Sequence, residues 1–284
     1  MGIFLAPSII LFTLISVFPI LYGFWMSFTT GDLGATDLSW AGLYNYGELL
    51  HDETFWASLR RGALYAFVSV VVQTVFGVAI ALAINESFKF ANIVRTVVLL
   101  PYLVPTVAVA LIFNWILSYD YGLLNYMLLS TGFIQEPINF FSVDLAMVTV
   151  IAASSWKFVI FVVLIVLARL QSIDPDYYEV AKLNGANVYQ RFIDVTLPNL
   201  KSVLFLIILL RSIWMFNKFD MIYLLTGGGP LGATQIPVIY AHDLAFGSLD
   251  FGMAAAVTSI MFVLLATSTG IYIHFFSPEE EVNV

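Results

Sequence analysis

Six apolar stretches of membrane length set what this chain can fold into: residues 3–28, 62–84, 94–117, 145–168, 203–215 continuing toward 225, and 251–276. A helix rises ~1.5 Å per residue, so about 20 apolar residues cross the hydrocarbon core of a bilayer. Backbone polar groups find no water there, and each run satisfies its own N–H and C=O groups by becoming helical. Only 11% of the 284 residues are charged, against about a quarter in soluble domains, so little mass remains for anything outside the membrane. The sequence predicts an all-α membrane protein with six transmembrane helices. The first run has no basic leader and no A-x-A exit, and it is longer than a signal-peptide core. It reads as a true span with Pro7 and Pro19 near its ends.

Sidedness follows from the basic residues. Six spans place both termini on one side, together with intervals 85–95 and 169–202, which carry Lys89, Arg95, Arg169, Lys182, Arg191 and Lys201. The other side holds only Arg60 and Arg61, among acids such as Asp32, Asp37, Asp52, Asp120 and Asp250. The positive-inside rule makes the first side cytoplasmic. The expected location is therefore the cell (inner or plasma) membrane, multi-pass, with both termini in the cytoplasm and lipid as a constant partner. On the outer side, Tyr44, Tyr46, Trp56, Tyr119, Tyr121 and Tyr126 suit an interfacial aromatic belt, and Gly227-Gly228-Gly229-Pro230 reads as a tight turn.

Several chemistries are disfavoured. A net charge of −8 offers nothing to neutralise a run of phosphates, so nucleic acid is not an expected partner. The chain has no Cys, and His51, His242 and His274 are scattered, so neither thiolate chemistry nor a metal site is expected.

Residues 174–198 form the longest polar interval between membrane-length runs. Asp174 before Pro175 is a helix start, an N-cap acceptor followed by Pro at the first helical position. Asp176 and Glu179 suit the positive end of that helix's dipole. Tyr177 and Ala181 share a face by their spacing. Gly185 supplies a left-handed stop, Asn187 caps a second helix, and Val188, Phe192 and Val195 form an apolar stripe on it. Pro198 is expected to break the chain before the fifth span. A solvated loop would account for the charges. It would not account for an apolar face with nothing soluble to cover, which points to a docking partner.

Glu179-Val180-Ala181, three residues, Gly185, nine residues, then Val195-Thr196-Leu197-Pro198 resembles the EAA signature of ABC-importer permease subunits. The spacing matches throughout; Val180 replaces the middle Ala, Val195 replaces Ile, and Asn184 stands where Asp often precedes the Gly. Resemblance to the sugar-type (maltose-importer) permeases extends along the chain. It includes Leu99-Leu100-Pro101-Tyr102-Leu103-Val104-Pro105, Ser172-Ile173-Asp174-Pro175, Phe216-Asn217-Lys218-Phe219-Asp220, and Asp250-Phe251-Gly252-Met253-Ala254-Ala255-Ala256. The resemblance implies the ABC type I importer permease fold, with residues 1–61 as first transmembrane helix and extracytoplasmic loop. Residues 62–284 would be the core transmembrane domain, with coupling loop 174–198. It implies that Glu179, Ala181, Gly185, Leu197 and Pro198 engage a cytoplasmic ATPase dimer, that a second homologous permease completes the pore, and that an extracytoplasmic solute-binding protein delivers a sugar. This chain has no G-x-x-x-x-G-K-[ST] loop. It is expected to bind no cofactor itself and to be no enzyme, ATP and Mg belonging to the partner ATPase.

Charged groups inside a span are costly, about 2.5–3.5 kcal/mol for a central Lys or Arg, and mark candidate pathways. Lys157 and Arg211 lie within the fourth and fifth runs, and Lys218 near an end where it could snorkel. Gap-free alignment with the sugar-type permeases places Ser154, Lys157, Phe158, Phe161, Arg211, Met215 and Lys218 at the substrate cavity. Trp156 and Trp214 could add aromatic faces, and Asn114 and Asn217 hydrogen bonds. The three cations leave open a neutral or an acidic sugar, with Asp220 available to neutralise them. The alternative function is an ion-coupled secondary transporter, but no Asp or Glu lies deep in any run and no inverted repeat is visible.

Overall fold

The computed structural model describes residues 2–30, 39–85 and 91–277. Asp32, Asp37, Lys89, the side chain of Arg95 and both chain ends, which entered the sidedness argument, lie outside these residues. Uninterrupted helices long and apolar enough to cross a membrane run over Leu5–Met26, Glu53–Asn85, Ala146–Gln171, Val188–Phe216 and Phe251–Phe276. The third expected span is not one rod. It is two half-helices, Thr96–Leu103 and Thr106–Ile116, bent by 98°. Pro105 causes the break: it has no N–H to continue the ladder and disfavours helical backbone at Val104, and its own backbone is extended (φ −56°, ψ 142°).

Two other expectations are corrected. The fifth span does not continue toward 225; it stops at Phe216, and a separate helix, Asp220–Thr226, follows. Asn217 Nδ2 donates to the Ile213 carbonyl at 3.2 Å, a side-chain competitor for the backbone ladder at the stop. Pro198, conversely, breaks nothing. The turn before it, Phe192–Thr196, is π-helical, with the Leu197 N–H bonded to the Phe192 carbonyl. The wide turn lets the helix pass through a ring that would crowd an α-helical carbonyl. The same arrangement precedes Pro19, where Thr13–Val17 is π-helical.

Two compact units make up the chain, Met1–Gly62 with Gln235–Ser268, and Ala63–Thr234 with Thr269–Val284. In the first, Thr29–Thr30 pairs antiparallel with Ser39–Trp40. Buried Asn45 pins this turn by donating to the carbonyls of Ser27 and Thr29, each at 2.9 Å. Gly252 lies against the same Thr29 carbonyl, so closely that a Cβ there would stand 2.0 Å from it. Asp52 opens the helix Glu53–Asn85 by accepting from the Thr54 N–H at 2.7 Å and also accepts from the Tyr240 hydroxyl. Burial raises the Asp52 pKa, but the bonds from Tyr240, Thr54 and Phe55 outweigh it and hold the carboxyl below its ordinary value. Burial, then the bond and charge of Asp52, push the Tyr240 hydroxyl up.

The second unit is built on Ala146–Gln171. Of this helix's most apolar window 61% is buried within the chain, against none of the first span's. Val162, Val163, Val166 and Leu170 of the central helix pack with Ala81 and Ile84 of the second span and Leu200 and Ile207 of the fifth.

Candidate functional site

A cavity of about 440 Å³ lies in the second unit where the fifth span ends. Four aromatic residues, Tyr102, Phe158, Trp214 and Phe219, line it. Its polar groups are Arg211, Asn217, Lys218 and Asp220, and Met215 and Ile213 complete it. The helix stop at Asn217 places this cluster, because it turns Lys218 and Asp220 inward instead of continuing the rod. Lys218 Nζ stands 3.9 Å from the Phe158 ring centre, within cation–π range, and 2.8 Å from Asp220 Oδ1.

Arg211 is only 2% exposed. Its Nε donates to Gln73 Oε1 at 2.8 Å, and a terminal nitrogen donates to the same oxygen. Its guanidinium also lies 5.5 Å from the Phe158 ring centre and 5.9 Å from that of Trp214. The cation is thus held by an amide and by ring faces, which offset the cost of taking it out of water.

Of the eight residues expected at a cavity, Phe158, Arg211, Met215, Asn217 and Lys218 line this one. Ser154, Lys157 and Phe161 do not. Ser154 is fully buried and accepts a hydrogen bond from Tyr65 at 2.7 Å. Phe161 packs edge-on against Trp214. Lys157 is 4% exposed and donates to the Val104 carbonyl, at the break of the third span. Trp156 packs on Phe113, and Asn114 bonds the carbonyls of Ala110 and Leu224. Sequence reasoning missed Tyr102, Ile213 and Phe219 as lining residues and Gln73 as the partner of Arg211. An amide in the middle of an apolar run was the signal available for Gln73.

The polar interval forms the expected pair of helices. Asp174 accepts from the Asp176 N–H and Pro175 opens the helix Pro175–Leu183. Gly185 takes φ +81°. The Ala186 N–H bonds the Ala181 carbonyl and the Gly185 N–H that of Lys182, a Schellman stop. Asn187 and Gln190 form a reciprocal capping box. Tyr177, Val180, Leu183, Val188 and Tyr189 are exposed, as are Glu179 and Pro198, and Leu197 is partly so. Ala181 faces the other way. It packs with Tyr178 on the helical core, and the Tyr178 hydroxyl meets Thr196 Oγ1 at 3.1 Å. The expected stripe on the second helix is also split, since Val195 is buried and Val188 is not. Spacing alone missed this because the π turn shifts the faces between the two residues.

Mostly helical membrane-length segments with a broken span, a cavity of aromatic and polar residues beside an interrupted helix, and an exposed capped helix pair suit a transporter's membrane subunit. Residues 73–279 match the model of the family described as the inner membrane component of binding-protein-dependent transport systems, and the chain belongs to that family. The trehalose/maltose transport system permease MalF of Thermococcus litoralis is 36% identical, over 93% of this chain and 90% of its own. The sulfoquinovosyl glycerol permease SmoG of Agrobacterium fabrum is 31% identical, over 97% of this chain and 90% of its own. A chain of a bacterial ABC transporter that imports the acidic polysaccharide alginate superposes with a TM-score of 0.85 at 23% identity, covering 96% of this chain and 93% of that one. The fold is that of an ABC type I importer permease.

Proposed function

We propose that this permease subunit carries a neutral saccharide through the cavity around Phe158, driven by an ATPase that docks on the helices at 175–191. The observation that carries the reading is the cavity itself. Aromatic faces from Phe158, Trp214 and Tyr102 sit beside hydrogen-bonding groups of Asn217, Lys218 and Asp220, the combination that grips a sugar ring on its apolar face and its hydroxyls. The Thermococcus litoralis relative is a trehalose/maltose permease, which supports a saccharide. The alginate imported by the transporter of similar fold is acidic, but here the two lining cations are already engaged. Arg211 is buried and turned to Gln73, and Lys218 is paired with Asp220, so neither presents a free charge to an anion, which favours a neutral ligand.

Glu179, Gly185 and the exposed Tyr177, Val180 and Leu183 would meet the ATPase, which binds the ATP and Mg. Ala181 would act from behind, as the small residue that lets the helix lie on the bundle. Arg169, Lys182, Arg191 and Lys201 around this segment put it in the cytoplasm by the positive-inside rule, with both termini on the same side. An extracytoplasmic binding protein and a second permease complete the system. The test is ATP-dependent uptake of radiolabelled trehalose, maltose and alginate oligosaccharides into proteoliposomes holding all subunits. Uptake of a neutral saccharide is expected; uptake of acidic ones alone, or transport indifferent to ATP, would overturn the reading.

A further inference from the structure

We propose that Lys157 is a positioning residue: its ammonium caps the broken third span at the Val104 carbonyl and so holds Tyr102 at the cavity wall. The proposal rests on the reading of that cavity as the path of the substrate. Three observations carry it. Lys157 is almost wholly buried in the fourth span, yet it is not among the residues that line the cavity. Its Nζ donates to Val104, the residue between Thr96–Leu103 and Thr106–Ile116, where the chain turns through 98°. Tyr102, two residues before Val104, does line the cavity, as does Phe158, the next residue after Lys157.

The physical need is clear from the sequence. Pro105 has no N–H and its extended backbone breaks the ladder, so carbonyls at the end of the first half-helix, Val104 among them, lack helical donors at its negative pole. Non-helical backbone at membrane depth persists only where another group satisfies it. A lysine from the helix on which both half-helices pack supplies a charged donor at that point. That contact, with the Phe158 ring centre 5.5 Å from the ammonium, offsets the cost of a cation at this depth. One ammonium thus links the bend of the third span to the helix that carries Phe158.

The chain contains no Cys, so spin labels at Val97→Cys and Leu111→Cys, both on exposed faces of the two halves, report the bend in the full chain in lipid nanodiscs. Lys157→Arg and Lys157→Gln keep a donor; Lys157→Met does not. A single narrow distance in the unsubstituted, Arg and Gln chains and a broad distribution in Met are expected. In the assembled transporter, Met should lower maximal uptake about tenfold with KM unchanged. Failure of Met to fold while Arg and Gln fold also supports the cap. A narrow distance in Met, a raised KM in all three, or equal failure of all three would overturn it. The distance measurement needs no substrate, so normal distances with no saccharide uptake would count against the proposed function alone.

Discussion

Arg211 Nε and Gln73 Oε1 meet at 2.8 Å with both side chains buried, joining the fifth span to the second at the edge of the cavity. Gln73→Leu leaves the guanidinium without its amide and should destabilise the protein by about 1.5–3 kcal/mol, the range for hydrogen bonds to charged groups. The melting temperature in detergent measures this. Arg211→Met combined with Gln73→Leu should cost less than the sum of the two single changes, because the pair acts as a unit.

Gly185 ends the first docking helix at φ +81°. A β-branched residue is strained there by roughly 1–2 kcal/mol, and the Schellman stop loosens with it. Gly185→Val should leave the membrane helices folded, by circular dichroism, while ATP-driven uptake falls at least as far as ATPase binding. Unchanged uptake together with normal ATPase binding would show that this turn does not transmit energy. Glu179→Leu, on an exposed position of the same helix, is expected to behave alike.

Gly252 has no room for a side chain, since its Cβ would stand 2.0 Å from the Thr29 carbonyl and 3.1 Å from Asn45 Nδ2. The first obstacle is backbone, and the Asn45 amide is held in place by its two hydrogen bonds. Gly252→Ala should therefore destabilise by about 1–3 kcal/mol, as overpacked sites do, whereas Gly270→Ala, with open space around it, should be close to neutral. Thermal denaturation of the two variants side by side decides this.

The Asp52–Tyr240 hydrogen bond gives a pH dependence whose sign is fixed. The Asp52 carboxyl titrates below its ordinary 3.8 in the folded protein, so its contribution is complete above that value and is lost as pH falls through the folded pKa. Tyr240 titrates above its ordinary 10.0, so its contribution is complete below that value and is lost as pH rises beyond it. Tyr240→Phe should raise the Asp52 pKa and move the acid end of the stability profile upward. An acid limb identical to that of the unsubstituted protein would mean that the bond does not form in solution.

How much of this was legible before the fold was known depends on the range of the interaction. The capped helix pair could be read residue by residue, because Asp174, Gly185 and Asn187 act on backbone groups within a few positions of themselves. The lining residues Phe158, Arg211, Met215, Asn217 and Lys218 were reached through resemblance. Ser154, Lys157 and Phe161 were expected at a cavity and here meet Tyr65, Val104 and Trp214 instead of lining the one described, and a polar or aromatic residue in a span looks the same in sequence whichever side it faces. Pro198 misled for a related reason: whether a proline breaks a helix depends on the turn before it, and a π turn leaves no composition signature.

The sequence by itself determined the number and position of the apolar runs, the helical state forced on them by hydrocarbon, and the local caps of the docking segment. All of these follow from composition and from bonds a few residues long. Only the tertiary structure decided where the third and fifth spans break and which group each buried cation meets. Lys157 finds a carbonyl 53 positions away and Arg211 an amide 138 positions away. A charge in a low-dielectric interior must have a partner, but the chain fixes which one only when separate helices are packed together.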